Sequence, residues 1–320
     1  MAEEMKVSVV IPVYNLASCV RATLDSVVAA AEAAPAVELE VLCVDDGSTD
    51  ASPAILDAFF PALASRPPTL SFRVLHKPNG GEGSARNAGM AVATGDWLAF
   101  LDGDDVWLPN FLVRAAAAVE EHPDADVVGF RFAPFDDGGE PPAVPAEASR
   151  TVRYDTRESI PSEAILGVGV FPTLFRRGLF SALAFSALPL GADRLYVAAC
   201  LARAKTVVLS DEVVHGYRIR EGSMARAAWD ARKVTSMIDY AAGSLGHLSA
   251  SGKRIGRAGA AYLADVLTSV AAKHVRRLTD GKDAVRRHWT DALRSADPVL
   301  FPGRRRLMRR WVLWYNSAFT

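Results

Sequence analysis

A chain of 320 residues, half of them apolar and 23% charged, has the composition of a folded protein and the length to fill one large core or two. The net charge of −1 hides a division: from Ala225 onward there are 18 Lys and Arg against 7 Asp and Glu, leaving 18 against 30 before it, so front and back are suited to different tasks. No apolar stretch reaches about 18 residues and the opening MAEEMKVSVVIPV puts acids before a short apolar run, so neither a membrane span nor a secretory leader is expected; Cys19, Cys43 and Cys200, odd in number and widely spaced, fit a reducing cytoplasm.

Residues 7–13 read as a first strand, β-branched and apolar on both faces, which Pro12 helps to end before a turn at Tyr14 and Asn15. An amphipathic helix is expected over Ser18 to Ala33 and a second strand over 38–44, with Asp45 and Asp46 directly after it. A helix from Ser52 to Leu63 and a strand at 71–75 follow. The loop NGGEGS (79–84) leads into a helix through Ala93, then a buried strand at 96–101 that ends in Asp102, Asp104 and Asp105. A helix from Pro109 to Glu120 and a strand at 125–130 complete the regular part. Strands alternating with helices of this length predict a parallel sheet with right-handed crossovers. Residues 134–149, rich in Pro, Gly, Ala and Asp, read as a surface loop or lid. Beyond them come apolar runs at 164–175 and 206–214, a polar stretch at 218–226, and Ala-rich helical spacing from Trp229.

Three carboxylates within four residues repel one another and raise one another's pKa unless something positive joins them. A hard divalent cation would do so, and a solvated turn capping the next helix is the plainer alternative. Topology favours the cation. In a parallel sheet the loops after the strands open on one edge, so Tyr14, Asn15, Asp45, Asp46 and the acids at 102–105 converge there. The first strand–helix turn lacks G-x-G-x-x-G, and no G-x-x-x-x-G-K-[ST] occurs, which disfavours dinucleotide and P-loop binding.

The blocks VSVVIPVYN (7–15), VDDGSTD (44–50), GSARNAG (83–89) and FLDGDD (100–105), in this order, resemble the signature blocks of family 2 glycosyltransferases. The resemblance is strong over residues 5–130, fair to about 225 and absent beyond. It implies an α/β, Rossmann-like nucleotide-diphospho-sugar transferase fold with a mostly parallel central sheet, here followed by an α-helical C-terminal extension. The expected division is a catalytic domain at 1–225 and a basic helical region at 226–320. It also implies inverting transfer from a nucleotide sugar, with uridine favoured as the base, to a hydroxyl of a glycan, wall-polymer or lipid-linked acceptor in cell-envelope polysaccharide biosynthesis. Carried over by position, Pro12, Tyr14 and Asn15 would line the base pocket and Asp46 accept the base N–H, with Asp45 supporting the loop. Arg86 would lie near the phosphates or sugar and Asp102 near sugar hydroxyls. Asp104 would hold Mn²⁺ or Mg²⁺ through the diphosphate.

Transfer also needs a base for the acceptor hydroxyl. LGADRLY (190–196) resembles the family's block for it, with Ala192 where Glu is common, and makes Asp193 the candidate; the plain alternative is a helix cap. VVHGYRIREGSM (213–224) resembles the loop that closes over the donor, so Arg218, Arg220 and Ser223 could clamp the diphosphate. His215 is a candidate metal contact or a structural histidine. The basic, aromatic stretch 304–315 has the make-up of an interfacial helix on an anionic membrane, or of a helix packed on the rest of the protein. No nucleic-acid module accompanies the charge. A pyrophosphorylase would carry a glycine-rich basic loop where IPVYN stands, and a binding or scaffold protein without turnover is the non-enzymatic alternative.

Overall fold

The computed structural model describes residues 5–63, 67–144, 149–220 and 228–295. Ser223 and the stretch 304–315 lie outside them. The first half alternates as its sequence predicts: β1 (Lys6–Val13), α1 (Val20–Ala33), β2 (Glu38–Asp45), α2 (Ser52–Phe59), β3 (Leu70–His76), α3 (Glu82–Val92) and β4 (Trp97–Phe100). After it come β5 (Val106–Trp107), α4 (Phe111–Glu121), β6 (Val127–Asp136), β7 (Thr151–Asp155), β8 (Ser159–Ile160), α5 (Ser162–Gly167), β9 (Thr173–Arg176), α6 (Arg177–Phe180), α7 (Ala192–Arg203) and β10 (Thr206–Ile219). Helices then dominate: α8 (Ala231–Ala250), α9 (Arg257–Asp265), a π-helical turn at Val266–Val270, α10 (Ala271–Arg277) and α11 (Lys282–Ser295), with a short β11 (Arg254–Ile255) pairing β8.

The main sheet runs β3-β2-β1-β4-β9-β6-β10-β5, with β7 also pairing β10. The pairs β3–β2, β2–β1, β1–β4 and β6–β10 are parallel, so the sheet is mostly parallel, as expected. The antiparallel insertion of β9 between β4 and β6 was not foreseen. It comes from the apolar run at 164–175, where Leu174 and Phe175 are each fully buried and face opposite sides of the sheet. β10 is longer than the run 206–214 suggested, and β6 extends to Asp136 because the two strands pair along most of their length.

β1 shows why the strand had to be apolar on both faces. Val7, Val9, Ile11 and Val13 enter the core shared with α1, α2 and α4, while Val10 enters the core on the other side, the period-2 alternation of a buried strand. Ser8, the polar exception, donates to Glu40 Oε2 at 2.6 Å and accepts from the Gly95 amide at 2.8 Å. Opposite Val10, Gly89 of α3 lies so close that an added Cβ would fall 2.4 Å from a Val10 methyl, which requires glycine there. The helices after residue 228 do not build a core of their own. Val234, Leu245, Leu267 and Trp289 belong to the same apolar cluster as Val10, Leu42 and Phe100. Among the described residues no helix is long and apolar enough to cross a membrane.

Candidate active-site cleft

The carboxyl ends of the parallel strands open into a cleft of about 670 Å³, and the loops after β1, β2 and β4 meet there. Pro12, Tyr14, Asn15, Asp46, Asp102 and Asp104 line it from one side, and Arg218 and Arg220 from the end of β10. Arg86, Asp45, His215 and Asp193 are not in its immediate wall.

Backbone geometry fixes the β1 and β2 loops to each other. Asn15 takes a left-handed φ of 54°, which asparagine tolerates better than most residues. Its side-chain oxygen accepts from the Thr49 amide at 2.8 Å and its own amide donates to Ser48 Oγ at 3.0 Å. The Leu16 amide donates to Ser52 Oγ and the Ala17 amide to Asp50 Oδ2. Tyr14 is left half exposed at the cleft mouth. Ser48, Asp50 and Ser52 were quoted in or beside the second sequence block without a role; here they hold the first loop in place.

The paired aspartates divide their work. Asp45 turns away from the cleft, accepting from the Ser48 amide at 3.0 Å and lying 3.1 Å from His76 Nδ1. Burial raises its pKa, but the bonds from Ser48 and His76 outweigh this and hold the carboxyl below its ordinary range. Asp46 is buried, pairs with Lys77, and accepts from the Gly80 amide at 3.0 Å and the Gly81 amide at 2.7 Å. Two glycines of the NGGEGS loop are therefore bound to Asp46.

Arg86 is 1% exposed and lies behind the cleft wall, 2.5 Å from Glu82 and 2.6 Å from Asp102, over the Phe185 ring. Its guanidinium is thus paired with neighbouring acids rather than open to the cleft. Burial pushes the Asp102 carboxyl well above its usual range against the pull of Arg86, and Glu82, Asp105 and Asp104 add to the rise. Asp104 faces Arg220, Nε to Oδ2 at 2.5 Å, and its carbonyl accepts from Arg218 Nε at 2.7 Å. Asp105, quoted in the fourth block but given no role, is 1% exposed. Its carboxylate meets His215 Nε2 at 2.9 Å and the Arg218 amide at 2.8 Å, and its carbonyl accepts from Thr23 Oγ1 at 2.7 Å. Burial raises the Asp105 carboxyl despite these bonds. His215 is fully buried and directed at Asp105 rather than Asp104, and stacks on Phe171.

Asp193 is the second residue of α7, whose N-cap is Gly191 in a left-handed conformation, so the carboxylate is not the cap. The preceding segment is fastened to α3: Asn87 Nδ2 donates to the Phe185 carbonyl at 2.9 Å, and the Phe185 amide donates to Asn87 Oδ1 at 2.7 Å. This holds the start of α7 near Arg86, whose guanidinium feels the Asp193 charge. The Asn87 clamp could have been read from GSARNAG only as a polar helix residue.

Residues 8–184 match the family model described as Glycosyl transferase family 2. The chain belongs to glycosyltransferase family 2. Glycosyltransferase GlyA of Streptococcus pneumoniae is 24% identical over 250 residues, covering 75% of this chain and 34% of GlyA. The chain thus spans about a third of the length of that curated relative, and the first three such relatives are covered over 34% to 41% of their length. Staphylococcus aureus TarS 1–349, solved with UDP-GlcNAc, superposes with a TM-score of 0.64 at 21% identity, over 92% of this chain and 83% of that one. The mannosyltransferase PcManGT of Pyrobaculum calidifontis, solved with GDP-Man and Mn²⁺, gives 0.57 at 17% identity, over 92% and 75%. These two likenesses establish the fold of the family 2 chain.

Proposed function

We propose that this family 2 chain transfers a sugar, with inversion, from a nucleoside-diphosphate sugar to a hydroxyl of a glycan, wall-polymer or lipid-linked acceptor. The convergence of Tyr14, Asp46, Asp102, Asp104, Arg218 and Arg220 on one cleft carries this reading. TarS and PcManGT, both of the same fold, were solved with a nucleotide sugar, one uridine and one guanosine. We take a uridine donor as the first choice.

In this reading Tyr14 stacks on the base, with Pro12 and Asn15 beside it, and Asp46 shapes the pocket floor through the Gly80 and Gly81 amides. Arg86 keeps Asp102 neutralised at the sugar end. Arg218 and Arg220 turn to the diphosphate, for which the guanidinium fork is suited, with Ser223 joining them. No group of three or more His, Cys, Asp or Glu placed for a metal occurs among the described residues. The crowded acids would offer a divalent cation a partial shell, which water and then the donor would complete, as Mg²⁺ ordinarily requires. Asp104 would hold Mn²⁺ or Mg²⁺, which would supply charge neutralisation of the leaving diphosphate. Asp193 takes the proton as the acceptor oxygen bonds to the anomeric carbon and the bond from that carbon to the diphosphate oxygen breaks. The basic region 226–320, with 304–315 on an anionic membrane surface at the cytoplasmic face, brings the acceptor near.

The test is a thermal-shift screen of UDP- and GDP-sugars with and without Mn²⁺, joined to chromatographic detection of released nucleoside diphosphate. A shift for one donor that needs Mn²⁺ and vanishes in Asp104→Ala supports the reading. A folded protein that shifts with no nucleotide sugar sinks it.

A further inference from the structure

The far side of the cleft carries a feature that the donor site does not use. His215 and Tyr217 are two residues apart on β10 and so face the same way, and Phe132 of β6 is the register partner of His215. The rings fall into two pairs. Phe171 stacks on His215 with centroids 5.3 Å apart and planes 18° apart. Tyr217, which lines the cleft together with Phe171, lies 5.7 Å from Phe132 at 57°. His215 is fully buried, whereas Phe132 is 50% exposed.

A lone surface phenylalanine is ordinary. One that continues an aromatic wall out of a ligand cleft is a different matter, because a ligand lying in the cleft can cover it without any new surface being built. The strand order places it. Tyr14 and Asp46 follow β1 and β2 at one end, the Asp102–Asp104 loop follows β4, and Phe132 and Tyr217 belong to β6 and β10 beyond that loop. What rests on Phe132 and Tyr217 is therefore across the acidic loop from the base pocket.

We propose that Phe132 and Tyr217 form a stacking platform for a pyranose ring of the acceptor; this rests on the transferase reading above. A pyranose suits such a surface. The C–H bonds on one ring face lie against the negative faces of the aromatic rings, while its hydroxyls at the edge stay with water and with the polar cleft. The amphipathic tyrosine ring offers the same pairing of an apolar face with a polar tip.

The test uses the full chain as wild type, Phe132→Ala and Phe132→Trp. Saturation-transfer NMR with methyl β-D-glucopyranoside, methyl β-D-galactopyranoside and methyl α-D-mannopyranoside reads saccharide contact without any nucleotide. Thermal shifts with UDP-GlcNAc and GDP-mannose read the donor site separately. At least one glycoside should give a saturable signal from its ring C–H protons, weakened about tenfold in Phe132→Ala and kept in Phe132→Trp. Nucleotide-sugar shifts should be alike in all three proteins. Absence of signal from every glycoside on wild type, or equal binding by wild type and Phe132→Ala, overturns the platform while leaving the transferase reading standing. Self-association of wild type that Phe132→Ala abolishes, seen by sedimentation, overturns it in favour of a contact between two copies. Loss of nucleotide-sugar shifts in all three proteins counts against the transferase reading and leaves the saccharide result to be judged alone.

Discussion

On the β1–β2 side of the cleft, backbone amides of residues 15–17 are held by Ser48, Ser52 and Asp50, at 2.9 to 3.0 Å. On the β4–β10 side the ties are between ionisable groups: Arg86 with Asp102, Arg220 with Asp104, and His215 with Asp105. A backbone amide held by a hydroxyl has no better partner to move to, so the first side is built in advance for a flat, unchanging group such as a base. A guanidinium on a carboxylate can exchange it for a phosphate at similar strength. The second side is thus made of contacts that a charged ligand can take over, and it is where chemistry is expected. Substitutions on each side can break or sharpen this contrast.

The largest effect should come from Asp193→Asn, which keeps the shape of the start of α7 but removes the proton acceptor. Turnover should fall by about 10²- to 10⁴-fold, while the thermal midpoint and the donor-induced shift stay at wild-type values. Retained turnover would take the base away from Asp193 and weaken the case that the second side carries the chemistry.

Next in size is stability. Arg86→Ala would leave Asp102 and Glu82 without their buried counter-ion, a loss of about 3–5 kcal/mol in urea unfolding. Adding Asp102→Asn should recover part of it, since the uncompensated charge goes. Ser52→Ala on the first side takes the hydroxyl from the Leu16 amide and from Asp50, about 1–2 kcal/mol. Equal losses from the two single variants would erase the distinction between ion-paired and amide-held contacts.

How much of this could be read in the sequence follows the same division. The first side was legible because its residues sit in short blocks straight after β-branched strands, so strand direction alone brought Tyr14 and Asp46 to one edge. Much of the second side depends on distant partners, 110 positions apart for His215 with Asp105 and 116 for Arg220 with Asp104. No local spacing announces such pairs. β9 was hidden for a related reason: a four-residue buried strand has no periodicity to distinguish it from a helix in the same apolar run. The Asn87–Phe185 clamp is equally non-local, and it positions the segment that leads to Asp193.

A smaller effect is expected where the two kinds of contact compete. Arg220→Gln removes the guanidinium from Asp104 and frees that carboxylate. Mn²⁺ added without donor, followed by electron paramagnetic resonance of the free ion, should bind about twofold to fivefold more tightly than to wild type. No change in Mn²⁺ affinity would place the cation elsewhere than at Asp104.

The smallest effect tests whether the first side is as insensitive to charge as its amide bonds suggest. Its titrating exception is His76, which lies 3.1 Å from Asp45 and 3.0 Å from Asp57, 44% exposed. Its pKa is raised, first by the hydrogen bond to Asp45 and then by that to Asp57, while Asp45 in turn is lowered. A raised histidine pKa means that the folded state binds the proton more tightly than the unfolded chain. Its contribution to stability is therefore complete below the ordinary histidine value of about 6.5 and is lost as pH rises through the higher folded value. Asp45 works in the opposite sense, contributing above the ordinary carboxylate range and losing that contribution as pH falls through its lowered value. Together they predict a shallow stability maximum on the acid side of neutrality. The decline from there toward mildly alkaline pH should be well under 1 kcal/mol at this exposure. In His76→Gln that decline should flatten, measured by urea midpoints across the interval. A variant whose midpoints fall with pH as steeply as wild type would assign the slope to another group, and would leave the first side free of any charge-dependent tie at His76.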